Sequence, residues 1–201
     1  MIQNNENPKK ILSDLIYDIS EGVKNRKHPF HIATFSNIDN KKNINSRIVV
    51  IRNYNPIINS LNFHSDIRSK KVQSIIEIPE TYFVFYDPNN KIQLRLQTKS
   101  IIHHNNNITL KNWEKTKLSS RKCYLVNKPP SSKSDIPSDG IPSHLKGIDP
   151  TLNESEVGYK NFVVIENKIN IIEWLKLSAS GHRRLQINLN DNKPQYQWLI
   201  P

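Results

Sequence analysis

Two clusters of basic residues stand out by type and spacing. The first is Arg47-Ile-Val-Val-Ile-Arg52, with an arginine at each end of a β-branched apolar run. The second is Phe63-His-Ser-Asp-Ile-Arg-Ser-Lys-Lys71, which reads as a strand end leading into a helix. A helix start presents unpaired N–H groups, so Ser69, Arg68 and Lys71 there suit a phosphate. The plainer alternative has Ser69 as a helix cap and the lysines solvated. Arg47 and Arg52, five residues apart, point to opposite faces of an ideal strand. Both reach one ligand only if the strand twists or ends between them.

Other familiar chemistry is missing. The sequence holds no GxSxG, HExxH, Walker A or GxGxxG pattern and only five glycines, which argues against a dinucleotide turn in a doubly wound sheet. His103 and His104 are adjacent and would face opposite sides of a strand, so no metal site is expected. The single cysteine, Cys123, excludes an internal disulfide and any CxxC motif. Its neighbours Arg121, Lys122 and Tyr124 would favour a thiolate, but a packed structural thiol is the simpler expectation.

These residues need a frame. Apolar positions Ile11, Leu12, Leu15, Ile16, Ile19 and Val23 recur at helical spacing, which predicts a helix over about 8–25 with Pro8 in its first turn. Strand-length runs follow at 31–38, 46–53, 60–64, 80–86 and 91–103, then at 162–166, 168–175, 184–190 and 195–200. Arg47–Ile51 is nearly continuous in apolar residues, so that strand is expected to be buried on both faces or central to a barrel. Val72, Ile75 and Ile76 predict a short helix ended by Pro79, and 107–126 reads as one or two helices around Trp113 and Leu118. Residues 128–155 hold five prolines among serines and charges, a long loop of the kind that forms functional lids. Short antiparallel strands with few helices predict a mainly β chain: one domain over 1–201, a closed or half-closed barrel with peripheral helices.

Lys and Arg outnumber Asp and Glu by 29 to 18, a net charge of +11. Such a field attracts nucleic acid, an anionic surface or phosphorylated small molecules. No run approaches the ~18 apolar residues of a membrane helix, and Met1–Lys10 is polar, unlike a secretory signal. The expectation is a soluble, cytoplasmic protein with no membrane partner. Nucleic acid is disfavoured, since Tyr82, Phe83 and Phe85 lie in an apolar run better read as core than as a stacking surface.

Taken in order, Arg47–Arg52, Phe63-His64, Asp66-Ile-Arg-Ser-Lys-Lys71, Gln93-Leu-Arg95, Glu173-Trp174 and His182-Arg-Arg184 resemble the pyridoxamine 5′-phosphate oxidase-like family. The resemblance runs from about Pro29 to the terminal Trp198-Leu-Ile-Pro. It is closest to the FMN-binding-domain branch distinct from the oxidase proper. It implies an antiparallel FMN-binding split barrel, usually a homodimer, with FMN as cofactor. Arg47 would begin the FMN-binding strand, Val49 and Val50 would run beside the cofactor, and Arg52 would stand near flavin and substrate. Phe63 and His64 would touch the cofactor, and Ser69 and Lys71, supported by Arg68, would clamp its phosphate. Gln93 would reach the isoalloxazine, often across a dimer interface, and Trp174 and Arg184 would complete the pocket.

The departures bear on substrate. Where the oxidase proper carries Arg-Leu-His, this chain reads Ser180-Gly181-His182. The helical aromatic, arginine and serine of the oxidase align weakly with Trp113, Lys117 and Arg121. Recognition of a phosphorylated pyridoxamine is therefore expected to be altered or absent, although Lys117, Arg121 and Arg52 retain capacity for an anion. The resemblance implies an FMN-dependent oxidoreductase acting on an unidentified small molecule, with His182 and Arg52 on the substrate side and no metal. The alternatives are a pyridoxamine or pyridoxine 5′-phosphate oxidase and a non-catalytic flavin-binding protein.

Overall fold

In the computed structural model, residues 6–191 and 193–201 are described. Helix α1 (Pro8–Lys24) starts at Asn7, whose side chain accepts from the Lys9 amide at 2.9 Å. Its apolar stripe buries Leu12, Leu15 and Ile19 against the barrel, each worth about 1.5–3 kcal/mol. Gly22 lets α1 meet the turn at Pro29–His31: a Cβ there would lie 2.5 Å from the Phe30 carbonyl oxygen.

Among the described residues nine antiparallel strands follow: β1 (Ile32–Ile38), β2 (Ile44–Val50), β3 (Asn53–Asn55), β4 (Ser60–Asp66), β5 (Glu80–Asp87), β6 (Ile92–His103), β7 (Phe162–Lys176), β8 (Arg183–Asn188) and β9 (Gln195–Leu199). They pair in the order β2-β1-β5-β6-β7-β4-β3, with β8 on β7 and β9 on β8. Ile51 and Arg52 join the two ends of that path. The Ile51 amide donates to His31 at 3.0 Å and the Arg52 amide to Asn62 at 2.8 Å. The sheet therefore closes on itself with a gap between β2 and β4. This is a split barrel, as expected.

Three readings of the strands are corrected. The segments at 162–166 and 168–175 are one strand, β7, because Asn167 is not a turn. Its amide is buried and donates to the carbonyls of Leu61 and Ile165. A bulge at Asn170, opposite Gln97/Thr98, then bends β7. Before the bulge its free edge pairs with β4, and after it with β8. The run at 46–53 is likewise two strands, β2 and β3. Nor is Arg47–Ile51 buried on both faces: β2 borders the split, and Ile48 is 60% exposed.

Phe35, Phe63, Phe83 and Phe85 fill the barrel, with ring centroids 4.9–6.4 Å apart; Tyr82 faces outward instead of joining them. Helix α2 (Lys70–Glu77) follows β4 and buries Val72 and Ile75. Helix α3 (Asn107–Lys115) packs near the start of β7 through a cluster of Trp113, Phe162 and Val164, and α4 (Leu118–Arg121) meets it through Arg121, which lies over the Trp113 ring. The proline-rich segment is not wholly irregular, because helix α5 (Leu152–Glu156) closes it through a Thr151–Glu154 capping box. Among the described residues no helix is long and apolar enough to cross a membrane.

Candidate functional site

The gap in the barrel opens into a cavity of about 620 Å³. On one side β2 contributes Arg47, Val49 and Val50, followed by Arg52. On the other are Phe63 and His64 of β4 and Lys71 of α2. Arg47 and Arg52 reach the same space because β2 ends at Val50 and the chain turns through Ile51 before Arg52. Seven of the expected cofactor residues thus converge.

The cavity's electrostatics are one-sided. Among the described residues Arg26, Arg47, Arg52, Lys71, Lys115 and Lys117 line it, and no carboxylate does. Among the described residues none of the six is in an ion pair. Arg47 donates to the Asn37 side-chain oxygen and lies 5.6 Å above the Phe35 ring. Lys71 donates to Ser65 Oγ at 2.7 Å. Burial pushes the Lys71 ammonium below the ordinary lysine value, and the Arg47 charge adds to that effect. Burial also lowers Arg47. Half-buried cations without a counter-charge are costly, and an anion in the cavity would offset that cost. His64 is pushed down to about 4, chiefly by burial and further by Arg52, while a 3.4 Å contact to Asn112 opposes both. At neutral pH it is an uncharged imidazole, able to donate or accept.

Two expected clamp residues sit beside the cavity with other partners. Ser69 is buried; its hydroxyl lies 3.4 Å from Ser65 Oγ and 3.5 Å from Lys71 Nζ, and it makes no cap bond. It steadies Lys71 from behind. Arg68 forks onto Asp66 at 2.6 and 2.9 Å and donates to the carbonyls of Val126 and Asn127. It ties the proline-rich segment to the end of β4.

The remaining candidates lie apart, on strands β6 to β9. Gln93 pairs with Leu175, and Leu175 with Arg184, across one face. Arg184 and Arg95 both bind Glu173, and these two arginines outweigh burial to hold its carboxyl below the usual range. Trp174 is buried, with its ring 6.4 Å from that of Trp198. His182 is exposed and accepts from the Ser178 amide. None of these lines the cavity of its own chain.

Cys123 is exposed, not packed, and borders the cavity. His103 pairs with Glu166, and His104 bonds the Lys160 carbonyl. Trp113 and Arg121 are structural. Arg121 stacks 4.6 Å over the Trp113 ring, pairs with Glu156 at 2.6 Å and donates to the Trp113 and Thr116 carbonyls. Of that aligned trio only Lys117 faces the cavity. Arg26, Asn112, Lys115, Ser119 and Ser120 also line it and were not foreseen. Lys115, Ser119 and Ser120 carry one sequence signal, the polar run Lys115–Ser120 that spans the junction of α3 and α4, whereas Arg26, after α1, and Asn112, within α3, carry none.

Residues 13–104 match the family model described as pyridoxamine 5′-phosphate oxidase, FMN-binding domain. The crystal structure of a pyridoxamine 5′-phosphate oxidase-related, FMN-binding protein from Nostoc punctiforme superimposes with a TM-score of 0.74 at 16% identity, over 98% of this chain and 100% of that one. PhzG from Burkholderia lata, solved with tetrahydrophenazine-1-carboxylic acid, gives 0.74 at 14% identity, over 99% and 95%. Campylobacter jejuni ChuZ is more distant, at 0.56 and 7% identity, over 93% and 63%. No curated protein matches by sequence. Residues 13–104 are thus similar to that family's FMN-binding domain, and the whole chain has the split-barrel fold of these structures. The model match ends at His104, so beyond it the likeness is one of fold.

Proposed function

We propose that the cleft between β2 and β4 binds FMN, and that the chain is an FMN-dependent oxidoreductase for a small anionic substrate. The observation that carries this reading is the cavity's six cations with no carboxylate. A doubly charged phosphate beside Arg47 and Lys71 would relieve their mutual repulsion through charge-assisted hydrogen bonds. The residues fit the group in other respects: the volume lies within the range of about 300–1,000 Å³ typical of ligand sites, and Val49, Val50 and Phe63 give an apolar wall. Bound FMN supplies the hydride chemistry, and the protein orients it and tunes its electronics.

One phosphate does not use all six cations. Arg26, Arg52, Lys115 and Lys117 remain for an anionic group on the substrate, and neutral His64 can donate a hydrogen bond to a bound group or accept one from it. Gln93, Trp174 and Arg184 serve the flavin only if a second protomer brings them to the cleft, so the reading includes a homodimer. A pyridoxamine 5′-phosphate oxidase is disfavoured. Arg121 is consumed by Glu156, and Ser180 replaces the arginine of the oxidase triplet. A carrier of flavin without turnover is the outcome if no substrate bleaches the cofactor.

The test is direct. Purified protein should be yellow and release FMN, identified by mass, on denaturation, and a screen of small anions should find one that bleaches the flavin anaerobically. A protein that gains no flavin absorbance from excess FMN contradicts the reading.

A further inference from the structure

The proline-rich segment surrounds a second cavity, also of about 620 Å³. Residues 127–139 leave and return where Gly140 packs on Val126. The Gly140 φ is +68°, and a Cβ there would come within 2.5 Å of Val126 Cγ1. The segment is thus an Ω-loop pinched at its neck, and such loops are normally packed by their own side chains. Here the side chains of 127–140 are exposed and the interior stays open. Pro129 and Pro130 restrict the backbone by fixing φ, and Arg68 holds the neck through the Val126 and Asn127 carbonyls at 3.0 and 3.3 Å.

The lining specifies a ligand. Val126, Pro129, Pro130 and Ile141 give carbon walls. Of its two carboxylates, Asp66 is neutralised by the Arg68 fork, while Asp139 accepts from the Ile141 amide at 3.0 Å, keeps its charge and offsets one of the two lysines of the lining. The charge left over is positive, from Lys128 and Lys133. Such a site suits an apolar, flat body, neutral or with an acidic substituent, and disfavours a cation. Cys123 lines both this cavity and the cation-lined cleft, so the two adjoin at one side chain.

We propose that the cavity beneath the Ω-loop binds the apolar body of a small ligand whose other end reaches the cleft at Cys123. Its identification as the substrate rests on the flavin reading above. Cys123 is the chain's single cysteine, so a polarity-sensitive naphthalene thiol reagent labels it uniquely. The label should emit to the blue of the same dye on a free thiol in water, and Ile141→Asp and Pro130→Asp should each return the emission toward the aqueous position. Aqueous emission in the unmutated protein, or a blue shift that survives both substitutions, overturns the site. FMN titration of unlabelled protein separates the two readings. A shifted label without FMN binding supports the cavity and removes only the word substrate; FMN binding with an aqueous label keeps the flavin and refutes the cavity.

Discussion

Replacing Lys71 by methionine should move stability and affinity in opposite directions. The ammonium is half-buried, donates to Ser65 Oγ at 2.7 Å, and has Arg47 as a like-charged neighbour. In the ligand-free chain its desolvation and that repulsion both disfavour folding. A methionine of similar length keeps the packing while removing both costs. Against this stand the bond to Ser65, worth about 1 kcal/mol, the longer contact to Ser69 at 3.5 Å and an attraction to Asp66 that is weaker than the Arg47 repulsion. Thermal unfolding of Lys71→Met, followed by circular dichroism without ligand, should therefore occur at an unchanged or higher temperature. FMN binding should weaken instead, because a charge-assisted bond to phosphate is lost. At about 1.5–3 kcal/mol and 1.4 kcal/mol per decade, Kd from flavin fluorescence rises by about 10- to 150-fold. The ligand-induced rise in melting temperature shrinks with it. A variant that melts lower and binds FMN with unchanged affinity would refute the reasoning and make Lys71 a structural residue.

Other consequences are testable with simpler measurements. Arg121→Leu should cost at least about 2 kcal/mol in urea unfolding, since a buried cation's bonds to Glu156, Trp113 and Thr116 are lost; FMN affinity should hold, and a selective loss of it would restore a ligand-binding role. His64 titrates near 4 when folded against 6.5 unfolded, so the unfolded chain takes the proton first as pH falls. Stability present above pH 6.5 should decline toward pH 4 by on the order of 3 kcal/mol, and His64→Gln should flatten that decline; an identical slope in the variant would contradict it. Gly22→Ala should destabilise despite a helix-propensity gain of about 1 kcal/mol, because its Cβ meets the Phe30 carbonyl at 2.5 Å; a raised melting temperature would show that α1 can shift.

What was legible in the residues was periodic or local. The spacing of Leu12, Leu15 and Ile19 made α1 visible, and the apolar run around Phe83 and Phe85 marked β5. The basic cluster after Phe63 pointed to the cleft because strand, turn and helix start are contiguous. What escaped was set by distant contacts. Ile48 reads like its neighbours Val49 and Ile51, yet it stands on the strand face that opens to the cleft and not on the core face. Asn167 looks like a turn residue until the carbonyls of Leu61 and Ile165 are placed around its amide. Arg121 and Lys117 are chemically alike in sequence, yet Glu156, 35 residues on, claims the first and leaves the second to the cleft. Arg68 was drawn to the phosphate by its neighbours, and Asp66 with the neck of the Ω-loop took it instead.

The central claim is that the cleft's cations grip a phosphate on a flavin, and comparing FMN with riboflavin tests it most directly. The two ligands differ only in that phosphate. Calorimetric titration of ligand-free protein should give one FMN per chain and riboflavin binding weaker by at least tenfold, with the difference shrinking as salt is raised. Equal affinity for both, or no saturable binding of either, would contradict it.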